Sequence, residues 1–281
     1  MSSTQRGGEY VHGTHRSEQE RLSLMNTILN ERTLRELAVR EGDHVLDVGS
    51  GLGQMSIAIA KQAGTGGRVI GVERSAEQIE KALAALRISG LGHRQVDFRQ
   101  GEAADPPLLP GEAGSFNLCF TRFLLEHVPD PLAVVRRMVQ ACVPGGRIVL
   151  ADDDHELLKL YPEPAGFTEI WGAYMELYRR NRNDPVIGRR LVQLLHQAGA
   201  TPTRNTWVWF GACSGNDMFE PVVDNLAGIL RGAAPTLEAQ GLVDGDAMQY
   251  LCGVTLPEFA QRPDAAVWFA MSLAEGTRPA Q

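Results

Sequence analysis

The hydrophobic positions between residues 45 and 152 recur as short runs that helical or loop segments separate. Five of these runs, HVLDVG, RVIGVE, VDFRQG, FNLCFTR and GRIVLAD, have the length and the β-branched content of buried strands. Strands that alternate with helices predict a mostly parallel, doubly wound α/β sheet with helices on both faces. Such a sheet places its ligand crevice at the carboxyl ends of the strands.

Helical periodicity dominates the chain on both sides of this region. Residues 17–39 open with Ser17 and Glu20 at the spacing of a capping box and continue with apolar residues at helical intervals. This pattern predicts an amphipathic leading helix. After the fifth run, residues 166–182 and 186–199 are predicted to form two further helices, because a breaking Asp-Pro pair separates their periodic patterns.

Two late strands, 205–213 and 265–275, complete a predicted sheet of seven strands. The segment between them has a mostly helical pattern, which we interpret as a helical lid inserted between the last two strands. The predicted organisation is an N-terminal flap and amphipathic helix at 1–40, a ligand-binding core at 41–213 and 263–281, and a lid at 214–262.

Composition narrows the class of ligand. The chain has 281 residues, 43% of them hydrophobic, and a formal net charge of -7 at pH 7. Because binding to nucleic acid or to anionic membranes depends on an excess of Lys and Arg, a small-molecule substrate is predicted instead. The four cysteines include no CxxC pair, so their spacing suggests neither a zinc site nor a disulfide framework. These features, with no signal-peptide pattern, predict a cytoplasmic monomer or homodimer.

The stretch VLDVGSGLGQ, residues 45–54, carries three glycines at alternate positions. Glycine permits positive φ and lets a ligand approach main-chain N–H groups. The dinucleotide fingerprint requires a glycine where this chain has Gln54, which disfavours a nicotinamide cofactor. Glu73, about 20 residues beyond the loop, can accept hydrogen bonds from two ribose hydroxyls. An adenosine-type ligand is therefore predicted, and the alternative is that the glycines only pack a helix onto a strand.

Five motifs in order resemble those of the class I S-adenosylmethionine-dependent methyltransferases, particularly the small-molecule branch that includes the ubiquinone and menaquinone C-methyltransferases. The motifs are VLDVGSGLG, GVERS, FRQGEA, FNLCFTRFLLEHVPDP and VPGGRIVLAD, and the resemblance covers residues from about 40 to 152. It implies a Rossmann-like fold, S-adenosylmethionine as the methyl donor and S-adenosylhomocysteine as the product.

The same resemblance implies contacts with the cofactor. The glycine loop would surround its amino-acid end, Glu73 would hold the ribose, and Arg122 would pair with the carboxylate. Glu102, where the family often has Asp, would accept a hydrogen bond from the adenine amino group. The implied cofactor-binding residues are Asp47, Gly49, Ser50, Gly51, Gly53, Gln54, Glu73, Arg74, Gln78, Gly101, Glu102, Ala103, Thr121 and Arg122.

A general base is useful only when the methyl acceptor is a hydroxyl or a carbon acid. Tyr10 and His12 are candidates, because the segment EYVHGTHR corresponds to a flap over the cofactor in related enzymes; a mobile terminus is the alternative. His155 is a third candidate, because it follows the fifth strand. At least two of the neighbouring carboxylates, residues 152–154, are interpreted as capping or solvated charges, with a base as the alternative. No metal is expected.

The predicted function is methyl transfer from S-adenosylmethionine to an oxygen, nitrogen or carbon atom of a small organic acceptor. An apolar or aromatic acceptor is favoured by the aromatic residues of the later segments, Phe167, Trp171, Trp207, Trp209 and Phe219. One alternative is a protein with the same fold that acts as a non-methylating catalyst or a binding module. A nicotinamide oxidoreductase is a weaker alternative, because the glycine spacing differs and no Tyr-x-x-x-Lys pair is present.

Overall fold

The computed structural model describes residues 29–280. Within this range eight strands are present: β1 His44–Val48, β2 Arg68–Glu73, β3 Val96–Gln100, β4 Phe116–Arg122, β5 Cys142–Asp153, β6 Lys159–Tyr161, β7 Thr201–Cys213 and β8 Ala266–Thr277. The helices are α1 at residues 29–37, α2 Gln54–Ala63, α3 Ala76–Ile88, α4 Pro131–Ala141, α5 Phe167–Arg180, α6 Leu191–Gln197, α7 Phe219–Ala239, α8 Gly245–Tyr250 and α9 Leu256–Ala260.

The strands form one sheet in the order β3-β2-β1-β4-β5-β8-β6, and β7 pairs with β8. Strands β1 to β5 are parallel, with Leu46 of β1 in register with Ile70 on one side and Cys119 on the other. Strand β8 runs antiparallel to β5. The predicted doubly wound, mostly parallel α/β sheet is confirmed. The sheet has eight strands in the described chain instead of seven, because β6 is a three-residue strand too short to produce a hydrophobic pattern.

The chain divides into two compact units. We call one the sheet unit; it contains Asn30–Asp153, Val186–Val208 and the chain from Met271 onward. The other, the helical unit, contains Asp154–Pro185 and Trp209–Ala270 among the described residues. This division groups α5 with α7, α8 and α9, whereas the predicted lid contains only the last three. A lid function of residues 214–262 stays a prediction.

The core of the sheet unit is the interior of the parallel strands and the helices packed on them. Helix α4 shows how the sequence specifies this packing: Asp130 Oδ1 accepts a hydrogen bond from Ala133 N at 2.9 Å, and Pro131 occupies the first turn. One face of α4 then enters the core beside strand residues such as Leu46 and Ile148. Burial of each such side chain contributes roughly 1.5–3 kcal/mol. The buried residues of this face are Val134, Val135, Met138, Val139 and Ala141.

The helical unit is built around amphipathic helices whose apolar faces pack together. Helix α5 confirms the helix predicted at 166–182, and its buried residues include Trp171, Tyr174 and Tyr178 on one face. Helix α7 buries a comparable apolar face along its 21 residues. Among residues 29–280, no helix combines the length and the apolar character needed to cross a membrane.

Candidate functional site

The glycine loop between β1 and α2 is the centre of the candidate site. Gly49, Gly51 and Gly53 have φ angles of 80°, 53° and 75°, values that favour glycine. A Cβ atom on Gly53 would lie 2.5 Å from Cζ of Phe98, so this glycine permits a helix to pack against a strand. Among the described residues, a Cβ on Gly51 would meet Oε1 of Gln78 alone, at 3.3 Å. Gly53 therefore serves packing, whereas Gly51 leaves space beside the loop.

Glu73 lies at the end of β2 and fixes the loop through its carboxylate. Its Oε2 accepts a hydrogen bond from Gly51 N at 3.1 Å, and its Oε1 accepts one from Ser75 N at 2.8 Å. A carboxylate has about four acceptor positions, so each oxygen retains capacity for a hydroxyl donor. The arrangement suits a vicinal diol such as that of a ribose.

Asp47 is a buried carboxylate at the end of β1. Its Oδ2 accepts a hydrogen bond of 2.5 Å from Ser56 Oγ. Burial raises the pKa of Asp47 to about 6, although Ser56 and the charge of Arg122 act in the opposite direction. A cationic ligand group beside this carboxylate would favour its ionised form.

Arg122 lies at the end of β4, and two neutral oxygen atoms hold its guanidinium. Nη2 donates to Asn30 Oδ1 at 2.5 Å and Nη1 donates to Thr33 Oγ1 at 3.3 Å. Burial lowers the pKa of Arg122 to about 10, while the charges of Asp47 and Asp153 raise it. A guanidinium has five N–H donors, so after these two contacts Arg122 can still donate hydrogen bonds to a carboxylate.

Among the described residues, no side chain caps the amino terminus of α2. Its N-cap residue is Gly53, and its first turn contains no acidic residue. By contrast, α3 is capped by Ser75, whose Oγ accepts a hydrogen bond from Gln78 N at 3.3 Å. The uncapped N–H groups of α2 favour an anionic ligand group. Asp47, Glu73, Arg122 and the start of α2 thus fit an amino acid attached to a ribose.

The predicted residues after β3 form a tight turn. Gly101 N donates to Glu73 O at 3.0 Å, and a Cβ on Gly101 would lie 2.5 Å from Cδ of Pro107. Glu102 forms an isolated antiparallel bridge with Asp105. Ala103 packs against the core of the sheet unit. A backbone hydrogen bond therefore joins this turn to the carboxyl end of β2.

The structure also describes the surroundings of four other residues that were predicted to bind the cofactor. The backbone oxygen of Arg74 accepts a hydrogen bond from Gln100 Nε2 at 3.1 Å. Gln54 is the first residue of α2 and accepts a 3.4 Å hydrogen bond from Asn30. Thr121 is fully buried, and its Oγ1 donates to a backbone oxygen of β1 at 2.7 Å. Ser50 is also buried, and its Oγ has no hydrogen-bond partner within the described part of the chain.

The acidic residues expected after the fifth strand have different positions. Asp152 lies inside β5 and is fully buried, so it is neither a capping nor a solvated charge. Its Oδ2 accepts hydrogen bonds from Leu124 N at 3.2 Å and Leu125 N at 2.7 Å. Burial raises the pKa of Asp152 well above its ordinary value, and the charge of Glu126 raises it further. Asp154 does act as a cap, because its Oδ1 accepts a 3.1 Å hydrogen bond from Glu156 N.

His155 belongs to the helical unit, where it is buried among aromatic rings. Its ring makes edge-on contacts with Trp171, Tyr174 and Tyr178 at centroid distances of 5.5, 5.8 and 5.1 Å. Trp171 Nε1 donates to the backbone oxygen of His155 at 2.8 Å. The other two candidate bases, Tyr10 and His12, lie outside the described residues.

Three residues of the site were not identified from the sequence. Ser56 contacts Asp47, and Asn30 and Thr33 contact Arg122. Asn30 and Thr33 lie at positions i and i+3 of α1, and this polar pair on one helix face is the only sequence signal that they share. Their partner is about 90 residues away in the chain, a separation that helical periodicity does not bridge.

The chain and its fold are similar to known proteins. A family model described as a methyltransferase domain matches residues 40–223. A protein encoded in transposon Tn4556 of Streptomyces fradiae is 36% identical over 176 residues, which are 60% of this chain and 47% of that protein. The demethylmenaquinone methyltransferase of Bacillus subtilis is 27% identical over 174 residues, which are 59% of this chain and 70% of the enzyme.

A solved structure provides a third comparison. The geranyl diphosphate C-methyltransferase of Streptomyces coelicolor, in complex with Mg²⁺, geranyl diphosphate and S-adenosylhomocysteine, superposes with a TM-score of 0.55 at 15% identity. The match covers 94% of this chain and 83% of that chain. At this level of identity the comparison supports the fold. The chain spans about half the length of the Streptomyces fradiae relative.

The chain belongs to the methyltransferase-domain family, because the family model matches well over half of its residues. It is an S-adenosylmethionine-dependent methyltransferase domain, and S-adenosylmethionine is its cofactor.

Proposed function

We propose that the protein transfers a methyl group from S-adenosylmethionine to an oxygen, nitrogen or carbon atom of a small apolar or aromatic molecule. The observation that carries this proposal is the set of three charged side chains at the ends of neighbouring strands around the glycine loop. Asp47, Glu73 and Arg122 come from β1, β2 and β4, which are adjacent and parallel in the sheet. Their carboxyl ends meet at one edge, where such sheets bind ligands.

Each of these groups matches one part of the cofactor. Asp47 would bind the ammonium, and ionisation of its carboxyl would then be favoured. Arg122 and the uncapped start of α2 would bind the carboxylate. Glu73 would accept the two ribose hydroxyls while it keeps its hydrogen bonds to Gly51 and Ser75. The turn at 101–103 would contact the adenine.

The bound cofactor supplies a methyl group that its sulfonium makes electrophilic. The protein then has to orient the acceptor in line with the S–CH₃ bond and to exclude water, and orientation of this kind can contribute ~7–11 kcal/mol. An acceptor that loses a proton benefits from a base, for which Tyr10, His12 and His155 are our candidates. No metal is needed for this chemistry.

A small organic acceptor is supported by two of the matched proteins, which are named for a quinone precursor and for geranyl diphosphate. A third, an arsenite methyltransferase that is 32% identical over 155 residues, is named for an inorganic acceptor. In this chain, Cys119 and Cys142 are fully buried in the core and their sulfur atoms lie 3.2 Å apart, so neither thiol is accessible to a substrate. Cys213, the last residue of β7, is exposed. A cytoplasmic location and a monomeric or homodimeric state stay predictions from composition.

The proposal is tested by calorimetric titration of S-adenosylmethionine and, separately, of NADH into the purified protein. We expect binding of S-adenosylmethionine only, with affinity reduced roughly 10- to 100-fold by Glu73→Ala, since a hydrogen bond to a charged group contributes about 1.5–3 kcal/mol. Glu77→Ala is the matched control, because Glu77 is exposed on α3 and pairs only with Lys81 in the described structure.

Formation of S-adenosylhomocysteine with a panel of quinones, phenols and isoprenoids then tests turnover. No binding of S-adenosylmethionine by the wild-type protein would contradict the proposal. Binding without methylation of any acceptor would favour the alternative of a non-methylating catalyst or binding module.

A further inference from the structure

We propose that Asn30 and Thr33 on α1 are positioning residues that orient Arg122 and the start of α2 toward the carboxylate of the cofactor. This inference rests on the proposed function and adds to it a part of the cofactor site outside the five sequence motifs. It also assigns a function to the carboxyl end of α1, where contacts with the sheet fix the helix in place.

The first observation is that Asn30 bridges the two groups expected to bind the carboxylate. Its Oδ1 accepts a 2.5 Å hydrogen bond from Arg122 Nη2, and its Nδ2 donates a 3.4 Å hydrogen bond to Gln54 Oε1. Gln54 is the first residue of α2, the helix without a capping side chain. A single amide thus contacts both the guanidinium and the side chain of the first residue of α2.

The second observation is the polarity of the groups that hold Arg122. Asn30 and Thr33 are neutral acceptors, so they orient the guanidinium without neutralising its charge. Thr33 is fully buried on α1, where a hydroxyl is costly unless it is hydrogen-bonded. The charges of Asp47 and Asp153 also act on the guanidinium, but Asn30 and Thr33 fix its direction before an anionic ligand binds.

The third observation concerns the carboxyl end of α1. Arg147 Nη2 donates to Leu37 O at 2.7 Å, and its Nη1 donates to Ala38 O at 3.2 Å. Arg204 donates to the backbone oxygen of Glu36 and pairs with its carboxylate at 2.6 Å. Cationic groups stabilise the last carbonyls of a helix, so these two arginines fix the end of α1 on the sheet.

A cavity of about 410 Å³ lies at this end of α1, and four arginines line it. Its two carboxylates, Glu36 and Glu275, already pair with Arg204 and Arg147 at 2.6 and 2.7 Å. The backbone oxygens at the carboxyl end of α1 also accept hydrogen bonds from the guanidiniums of Arg147 and Arg204. We therefore assign Arg147 and Arg204 to the anchoring of α1 instead of to the binding of a ligand. The cavity is lined by Arg35, Glu36, Ala38, Arg40, Arg147, Thr203, Arg204 and Glu275.

The test compares two ligands that differ in the carboxylate. S-adenosylmethionine has the amino-acid part, whereas 5′-methylthioadenosine keeps the adenosine and lacks both the carboxylate and the ammonium. We expect Asn30→Ala and Thr33→Val together to weaken binding of S-adenosylmethionine by about tenfold. Binding of 5′-methylthioadenosine should change by less than about twofold, because no contact to the adenosine is altered.

Three controls accompany the double variant. Thr33→Ser keeps the hydroxyl and should restore most of the affinity that Thr33→Val alone removes. Arg35→Ala changes an exposed residue of the same helix, whose Nε donates to Glu31 O of that helix at 3.5 Å. Thermal unfolding of each variant measures whether α1 remains folded, and the single substitution Asn30→Ala is used if the double variant unfolds.

A loss confined to S-adenosylmethionine supports the inference. Equal weakening of both ligands, or unchanged affinity for both, overturns it while the proposed function stands. A wild-type protein that binds neither ligand overturns both proposals.

Discussion

The sheet unit and the helical unit use their buried polar groups in opposite ways. In the sheet unit, ionisable groups such as Asp47 and Arg122 are held at strand ends beside an open loop, and burial shifts their pKa values. In the helical unit, His155, Trp171 and Tyr174 contact one another ring to ring. Oriented charges suit a polar ligand with both signs of charge, whereas packed rings mainly stabilise the fold.

This difference has a cause in the architecture. Parallel strands end abruptly at one edge, and the residues that follow them lack ladder partners and can face a ligand. The aromatic residues of α5 occur at helical intervals, which place them on one face, where they pack together. The aromatic cluster is thus a core feature in the described structure, and Trp171 and Tyr174 are buried at 7% and 0% exposure.

The largest expected effect comes from breaking the aromatic cluster. Trp171→Ala removes ring contacts with His155, Phe167 and Tyr174 and a hydrogen bond to a buried backbone oxygen. We expect it to lower the free energy of unfolding by about 3–5 kcal/mol, measured by urea denaturation. Trp209→Ala is the control, because 53% of that residue is exposed, and it should cost less than about 1 kcal/mol. Similar losses in both variants would contradict a packed cluster.

A smaller effect on stability is expected in the glycine loop. Gly53→Ala adds a Cβ that would lie 2.5 Å from Phe98 and also strains a backbone with φ of 75°. Together these terms should destabilise the protein by about 2–4 kcal/mol in the same assay. Gly145→Ala separates the two terms, because its φ is 78° but no atom of residues 29–280 lies within 4 Å of the added Cβ. We expect only the strain there, about 1–2 kcal/mol; equal losses would show that packing at Gly53 is unimportant.

The smallest effect is on the pH dependence of cofactor binding. The pKa of Asp47 is about 6, and the α-amino group of the cofactor should stay protonated below its ordinary pKa of about 7.7–8.0. Protonation of Asp47 removes the charge that binds this ammonium, so the Kd for S-adenosylmethionine should rise as pH falls from about 7.5 to 5, by up to about tenfold. Asp47→Asn should bind weakly, with a Kd that changes little over this range. A pH profile that is the same in both proteins would contradict this assignment.

Most of the sheet unit could be predicted from local patterns. The five strand runs were identified because buried parallel strands are nearly continuous hydrophobic segments. The glycine loop and Glu73 were identified because backbone conformation and a strand-end position constrain residue type locally. The placement of Asp152 could not be predicted, because its burial depends on the loop residues Leu124 and Leu125, which donate to it from another part of the chain.

The sequence by itself determined the fold class, the family and the glycine loop, since periodicity and glycine spacing record constraints between residues close in the chain. Only the tertiary structure decided which groups orient Arg122, which thiols are adjacent, and which aromatic residues pack on His155. Asn30 and Arg122 are separated by 92 residues and contact each other through polar side chains, which could equally be exposed to solvent. Such contacts depend on how helices pack on the sheet, and no local pattern specifies that packing.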